Sequence, residues 1–432
     1  MIATLLFLAF VVMMLVGVPI GAALGLAGAA CIALANSDAQ WFGLLAVPQN
    51  FYAGLGKYPL LAIPMFVLVG SIFDRSGVAL RLVNFAIAIV GRGPGMLPLV
   101  AIAVAMFLGG ISGSGPANAA AVGAVMIAAM SRAGYPAAFS ASVVGAAAAT
   151  DILIPPSVAF IVYSVLVPGA SVPALFAAGM VPGVLAGLAL MIPAVLLARK
   201  HKMGALEATL PRPPFWKSFR EATWGLAAPV LILGGMRAGW FTPTEAAVVA
   251  VFYGLFVGMF VHRTIKVRDL FVILRESGEL SAVILLVVSL AGIFAYSLST
   301  LGVIDPVTRA IVNSGLGEYG ILALLILLLI TVGMFLDGVS IFLIFVPLLL
   351  PIVQYYKWDP VWFGVILTLK VALGQFTPPL AVNLMVSCRI AKVRMEETVR
   401  WVGWMLFSMF VVMVLVIIFP ELALWLPRKL GY

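Results

Sequence analysis

Long apolar runs follow one another along almost the whole chain, separated by short clusters of Gly, Pro and charge. A helix needs about 20 apolar residues to cross a bilayer, so 432 residues of this pattern predict on the order of a dozen spans and an all-α membrane protein. Four runs are interrupted where a plain span would stay apolar. Two interruptions are glycine- and serine-rich, at 109–118 and 336–340, and two are doubled prolines, Ile154-Pro155-Pro156-Ser157 and Thr377-Pro378-Pro379. Glycine tolerates unusual dihedrals and Ser or Asp can cap a helix start, so the first pair predicts tips of re-entrant helical hairpins. Proline removes a backbone donor and clashes with the preceding turn, so the second pair predicts broken helices, with breaks near 154–157 and 377–379.

The interruptions come as a matched set. Met106-Phe107-Leu108-Gly109-Gly110-Ile111-Ser112 returns 228 positions later as Met334-Phe335-Leu336-Asp337-Gly338-Val339-Ser340. Gly70-Ser71-Ile72-Phe73 is answered by Ala291-Gly292-Ile293-Phe294, and Tyr135-Pro136 by Asp359-Pro360. Two copies of one plan in membrane-grade sequence predict a secondary transporter built from two structural repeats, inverted with respect to one another. The expected division is scaffold spans at 1–57, repeat one at 58–199, a basic cytoplasmic linker at 200–221, a scaffold helical hairpin at 222–268 and repeat two at 277–427.

Composition strengthens the membrane reading: 64% of residues are hydrophobic and 9% charged, against roughly 25% charged in soluble proteins. The net charge of +9 does not point to nucleic acid, because the cations cluster in short loops. Arg199, Lys200, His201 and Lys202, then Arg212, Lys217 and Arg220, then Arg263, Lys266 and Arg268 mark cytoplasmic ends of spans. The first 34 residues are too long an apolar run for a signal peptide's core and predict a first membrane segment. Two isolated cysteines offer no disulfide framework or metal site. No G-x-x-x-x-G-K motif is present for ATP, and neither His201 nor His262 stands at ligand spacing from another metal-binding residue.

Non-helical backbone inside a membrane survives only where it is buried in protein or lines a watery cavity, so four interruptions predict a site. Half-helix N-termini suit a carboxylate, and unwound carbonyls with hydroxyls suit Na⁺. Repeat one offers Ser112, Ser114, Asn118, Pro155 and Ser157; repeat two offers Asp337, Ser340, Gln375, Thr377 and Asn383. Asp337 stands where repeat one has Gly109. A carboxylate at that depth is costly and marks a functional position, with an ion ligand and an ion pair within the bundle as its two readings. Asp151 and Lys370 are further intramembrane charges, each facing substrate or paired with the other. Serine hydroxyls in membrane helices also bond back to their own backbone, which is the plainer reading for Ser112 and Ser114. Asp74, Arg75 and Arg81 read as an interfacial loop, and Thr242-Pro243-Thr244-Glu245 as a helix start.

Pro59-Leu60-Leu61-Ala62-Ile63-Pro64-Met65-Phe66, Ser112-Gly113-Ser114, Ile154-Pro155-Pro156-Ser157, Phe241-Thr242-Pro243-Thr244-Glu245-Ala246 and Thr377-Pro378-Pro379, in that order, resemble the large membrane subunit of the tripartite ATP-independent periplasmic (TRAP) transporters. The resemblance implies a sodium-coupled, elevator-type importer of small organic acids (carboxylates) in a bacterial inner membrane, with no cofactor beyond Na⁺ as coupling ion. It implies sodium sites at Ser112, Gly113 and Ser114 with Ile154, Pro155 and Ser157, and at Asp337, Gly338 and Ser340 with Thr377 and Pro378. Substrate is expected near Ser112, Asn118, Gln375, Thr377 and Asn383, with Lys370 as the nearby cation. Expected partners are a small membrane subunit of about four spans on a separate chain and a soluble periplasmic binding protein. A self-sufficient sodium–carboxylate carrier is the alternative. An intramembrane enzyme using Asp151 and Asp337 is disfavoured, since the two come from non-equivalent positions.

Overall fold

The computed structural model describes residues 2–35, 42–90, 93–209, 212–334, 336 and 338–432. Among these residues there is no strand, and every regular element is helical. Three helices lead in: α1 (Ile2–Leu15), α2 (Ile20–Ala35) and α3 (Phe42–Leu55). There follow α4 (Ala62–Arg75), α5 (Val78–Val90), α6 (Met96–Ser112), α7 (Gly115–Arg132), α8 (Ala137–Ala148), α9 (Val158–Leu166) and α10 (Val172–Lys200). Then come α11 (Phe215–Arg237) and α12 (Pro243–Phe256). The last group is α13 (Val267–Thr300), α14 (Ile304–Val312), α15 (Gly317–Gly333), α16 (Gly338–Tyr355), α17 (Pro360–Gly374), α18 (Val382–Ala391), α19 (Val399–Ile418) and α20 (Glu421–Leu430). The order long helix, short helix, helical hairpin, two half-helices, long helix thus occurs twice, as α4–α10 and as α13–α19. Among the described residues six helical stretches, including Tyr58–Arg75, Val172–Lys200 and Val267–Thr300, are long and apolar enough to cross a membrane.

The interruptions have local causes. After Ser112 the chain turns through Gly113 at φ +62°, and Ser114 is extended before Gly115 and Pro116 open α7. In the first break Ser157 caps α9, its Oγ accepting from the Phe160 N–H at 3.5 Å and donating to the Ile152 carbonyl at 2.7 Å. In the second, Ala381 at φ +40° precedes α18, and the Asn383 N–H reaches back to the Gln375 carbonyl at 3.0 Å. Both proline pairs, Pro155-Pro156 and Pro378-Pro379, are joined by cis peptide bonds.

The two breaks pack on one another. Alanine and glycine in α8 let α18 approach closely: a Cβ on Gly145 would lie 3.0 Å from the Leu384 Cα. Tyr163 of α9 donates to the carbonyl of Pro360 at the start of α17, 2.7 Å away. A different glycine seam joins α2 to α13, where Cβ atoms on Gly21, Gly25 and Gly28 would lie 3.0, 2.5 and 3.0 Å from Val287, Leu290 and Phe294. The Thr242–Glu245 capping box forms as expected at the start of α12. Asp74 and Arg75 depart from the expected loop. They form the last turn of α4, because nothing breaks that helix before Ser76-Gly77, and Arg75 reaches Glu276 of α13 at 2.7 Å. The boundaries placed at 268 and 277 fall inside α13, whose charged first turns hold an Arg275–Glu279 pair at i,i+4. Helix α11 likewise begins at Phe215, within the stretch assigned to the linker.

The linker is tied to the first hairpin. Glu207 is buried; its carboxylate accepts the Tyr135 hydroxyl at 2.5 Å and the Leu97 N–H at 2.9 Å, while Tyr135 accepts the Gly95 N–H at 2.6 Å. Burial pushes the Glu207 carboxyl above its ordinary value. An acid with a raised native pKa binds its proton more tightly folded than unfolded, so this contact strengthens as pH falls from the raised toward the ordinary value. Limited proteolysis of 201–209 is therefore expected to speed up with rising pH relative to Glu207→Gln, and a constant ratio between the two would remove the assignment.

Candidate functional site

The first hairpin tip lies against both breaks. A Cβ on Gly113 would meet the Pro156 carbonyl at 2.8 Å, and one on Gly110 the Pro155 carbonyl at 3.5 Å. Across the repeats, a Cβ on Gly115 would lie 2.6 Å from Gln375 Oε1, 2.7 Å from Asn383 Nδ2 and 2.8 Å from Asn383 Oδ1. The second tip meets α17, the half-helix that leads into its own break, where a Cβ on Gly338 would lie 2.4 Å from Val371. The approaches at Gly113, Gly115 and Gly338 are possible only because the tips carry glycine.

A cavity of ≈ 190 Å³ opens among these elements. One wall is α4 with Val67, Gly70, Ser71 and Asp74, joined by Leu280 and Ile284 of α13. The other is the first tip from Ser112 to Ala117, Gly338 and Val339 at the start of α16, and Val371 with Gln375 beside the second break. Of the residues picked out in the sequence, Ser112, Gly113, Ser114, Gly338 and Gln375 line the cavity. Asn383 is buried one bond behind it, donating to Gln375 Oε1 at 3.0 Å.

Several hydroxyls are engaged locally. Thr377 donates to the Leu373 carbonyl at 2.6 Å and Ser157 to Ile152, so each would turn a lone pair rather than a proton toward a ligand. Asn118 donates to the Ala105 carbonyl at 2.8 Å. The Oδ1 atoms of Asn118 and Asn383 are buried and accept nothing among the described residues. Leaving such an acceptor unmet costs about 1–3 kcal/mol. Two such hard oxygens, one after the first hairpin tip and one after the second break, fit an alkali cation. Ile154 is half-buried and Pro155 buried in the first break, Pro378 half-buried in the second, and Ser340 buried in the first turn of α16. Asp337 lies outside the described residues.

Asp151 and Lys370 do not pair with one another. Asp151 is 0% exposed and accepts from Ser112 Oγ at 3.2 Å. Lys370 is also 0% exposed; its Nζ has no hydrogen-bond partner among the described residues and packs on Gly333, where a Cβ would lie 2.1 Å from it. Lys370 is not among the residues lining the cavity. Asp74 and Ser71 are, and sequence reading missed both. The signal was the spacing 67, 70, 71, 74, which places two polar residues on the face of α4 that carries Val67 and Gly70.

The family described as "Tripartite ATP-independent periplasmic transporter, DctM component" matches residues 7–422. The chain belongs to that family. It is the large permease component, a multi-pass protein of the bacterial inner membrane and not an enzyme. It is 37% identical over 408 residues to the C4-dicarboxylate TRAP transporter large permease protein DctM of Pseudomonas aeruginosa, covering 94% of each chain. It is 36% identical over 416 residues to the isethionate TRAP transporter permease protein DctMQ of Oleidesulfovibrio alaskensis, covering 96% of this chain but 65% of that one. The crystal structure of the Alcanivorax borkumensis YdaH transporter superposes with a TM-score of 0.57 at 15% identity, over 91% of this permease and 90% of that chain, a likeness of fold. TRAP transporters pair the large permease with a small membrane subunit and a periplasmic binding protein.

Proposed function

We propose that this permease takes up a small anionic organic acid in symport with Na⁺, receiving it from a periplasmic binding protein and working beside a small membrane subunit on a separate chain. The observation that carries this reading is the meeting of the first hairpin tip with the second repeat's break, Gly115 against Gln375 and Asn383, on a cavity walled elsewhere by α4 and α13. A cation at Ser112, Gly113 and Ser114 with Ile154, Pro155 and Ser157, and another at Asp337, Gly338 and Ser340 with Thr377 and Pro378, would join each tip to its break. Sodium would supply positive charge beside the acid, so the two affinities rise together, and such coupling is reciprocal. Ser112, Asn118, Gln375, Thr377 and Asn383 are the polar groups around that position, and the relatives named for C4-dicarboxylate and isethionate both carry small organic anions. The two repeats are read as inverted, with hairpins and broken helices forming the unit that moves past α4 and α13.

Uptake of radiolabelled acid into proteoliposomes tests the reading. Both permease subunits, an imposed sodium gradient and the binding protein should all be required. Transport by this chain alone would favour a self-sufficient carrier. Asp337→Asn keeps the size but removes the charge that offsets a cation, and uptake is expected to fall by at least about tenfold. Unchanged uptake with unchanged sodium dependence would make Asp337 structural.

A further inference from the structure

We propose that the cleft between α5 and the α6–α7 hairpin seats an anionic phospholipid of the cytoplasmic leaflet, its phosphate held between Arg132 and Arg212. A second cavity, ≈ 370 Å³, opens in this cleft and shares no lining residue with the one between the tips and breaks. Leu80, Val83 and Ile87 line it from α5, at the i, i+3, i+7 spacing of a single helix face, and Val125 lines it from α7. The two arginines lie toward one end of this apolar slot. Arg132 belongs to the last turn of α7, and Arg212 of the linker donates to the carbonyl of Ala88 in the last turn of α5. An apolar slot closed by two guanidiniums has the shape of a lipid in negative, hydrocarbon along the walls and phosphate at the rim.

The guanidiniums have donors to spare. Arg132 Nε donates to the Ala128 carbonyl at 3.3 Å and Arg212 to that of Ala88, one N–H in each case out of the five a guanidinium carries. Among the described residues neither arginine has a carboxylate within ion-pair distance. Glu207 also lines the cavity, but its two oxygens already accept the Leu97 N–H at 2.9 Å and the Tyr135 hydroxyl at 2.5 Å. The planar fork of arginine matches a phosphate with paired N–H bonds. Asn84, one turn before Ala88 on α5 and half-buried in the same lining, offers a neutral polar group to a hydroxylated headgroup such as glycerol. A headgroup bearing an ammonium would instead bring a third cation to two guanidiniums, so the cleft selects a lipid with net negative charge.

The surroundings set the depth. Arg212 is followed at once by Phe215, Trp216 and Phe219, with Trp216 77% exposed and the exposed cations Lys217 and Arg220 among them. Phe85 of α5 meets Phe215 and Phe219 with ring centroids 5.9 and 5.5 Å apart, which joins the start of α11 to the helix that walls the cleft. Exposed aromatics interleaved with Lys and Arg belong at the headgroup level, and basic loops belong on the cytoplasmic side. The mouth of the cleft therefore opens where anionic headgroups lie, and basic pockets between helices on that side suit them. A phosphate bound there would join Arg132 of the hairpin to Arg212, which is itself fixed on α5, so the lipid would fasten the hairpin to its neighbour.

The test titrates the purified two-subunit permease in detergent with phosphatidylglycerol, phosphatidylcholine or glycerol phosphate and follows the thermal midpoint, since a ligand that binds the folded state alone raises it. Phosphatidylglycerol is expected to act at a concentration at least about tenfold below that of phosphatidylcholine, and Arg132→Gln or Arg212→Gln to weaken it about tenfold. The double variant should erase the preference. Lys217→Gln with Arg220→Gln, cations of the same belt outside the cavity, should leave it in place. Val125→Trp fills the slot without touching either arginine; it should also block the lipid, and it stands in if the arginine variants fail to fold. Equal action of the two lipids on wild type, a preference that survives the double variant and Val125→Trp, or one lost equally with Lys217 and Arg220, would overturn the inference. Glycerol phosphate as effective as the lipid would also overturn it, since the cleft would then serve a soluble phosphate. None of these outcomes touches the organic-acid reading, which rests on the other cavity.

Discussion

Gly115→Val is expected to abolish uptake while leaving the protein in the membrane. At that position the first Cβ atom alone would lie 2.6–2.8 Å from the amide groups of Gln375 and Asn383, closer than non-bonded heavy atoms settle. Relief would require Asn383 to leave Gln375, breaking the 3.0 Å bond that holds the second break in shape. Overpacking of this kind costs typically 1–3 kcal/mol, a small loss for a permease of this size. The same displacement at a site that must close on its ligand costs far more in rate, since misplacement by about 1 Å can lower turnover roughly a hundredfold. Proteoliposome uptake and the thermal midpoint, measured together, separate the two consequences. Uptake within about threefold of wild type would show that Gly115 does not set the geometry of the transport site.

Lys370→Met is expected to raise stability. The amine is fully buried, has no hydrogen-bond partner among the described residues, and packs against Gly333. An uncompensated buried charge carries a desolvation cost of several kcal/mol even after relaxation, and methionine fills nearly the same volume with a flexible apolar chain. A gain on the order of 1–4 kcal/mol corresponds to a rise of several degrees in midpoint. A lower midpoint would mean that the charge is held favourably where it stands. Uptake in the same preparation bears on the site: an active Lys370→Met permease would confirm that the residue serves no substrate contact.

The features that were legible in the sequence share one physical cause. Backbone that departs from a helix inside an apolar run needs Gly, Pro or a capping hydroxyl, and those residues cannot be mistaken for span. Hence the turn at the first tip and the two proline breaks stood out in the sequence, whereas Ser157 read as an ion ligand and also caps α9. Features made by distant contacts were not legible. Nothing near Asp151 announces Ser112, 39 positions away, nor does anything near Glu207 announce Tyr135, 72 away. Asp74 read as a loop because charge beside a glycine usually marks an interface, whereas α4 holds its last turn and brings the carboxylate to the cavity. The division near 268–277 failed for a related reason. A charged stretch suggested a boundary, but Arg275 and Glu279 are spaced for one unbroken helix.

The seam between α2 and α13 has a mechanical consequence. Gly21, Gly25 and Gly28 sit so close to Val287, Leu290 and Phe294 that sliding one helix along the other would drive side chains into backbone. That joint behaves as a weld. The contact between α4 and the first tip is of another kind: Gly70 faces the Ser112 carbonyl at 3.2 Å from its would-be Cβ, and beyond it lies open cavity rather than interlocked side chains. In the motion proposed above, a smooth surface beside a void would serve as a bearing, so a bulky residue at Gly70 is expected to act as a brake on transport, whereas one at Gly25 should loosen the frame itself.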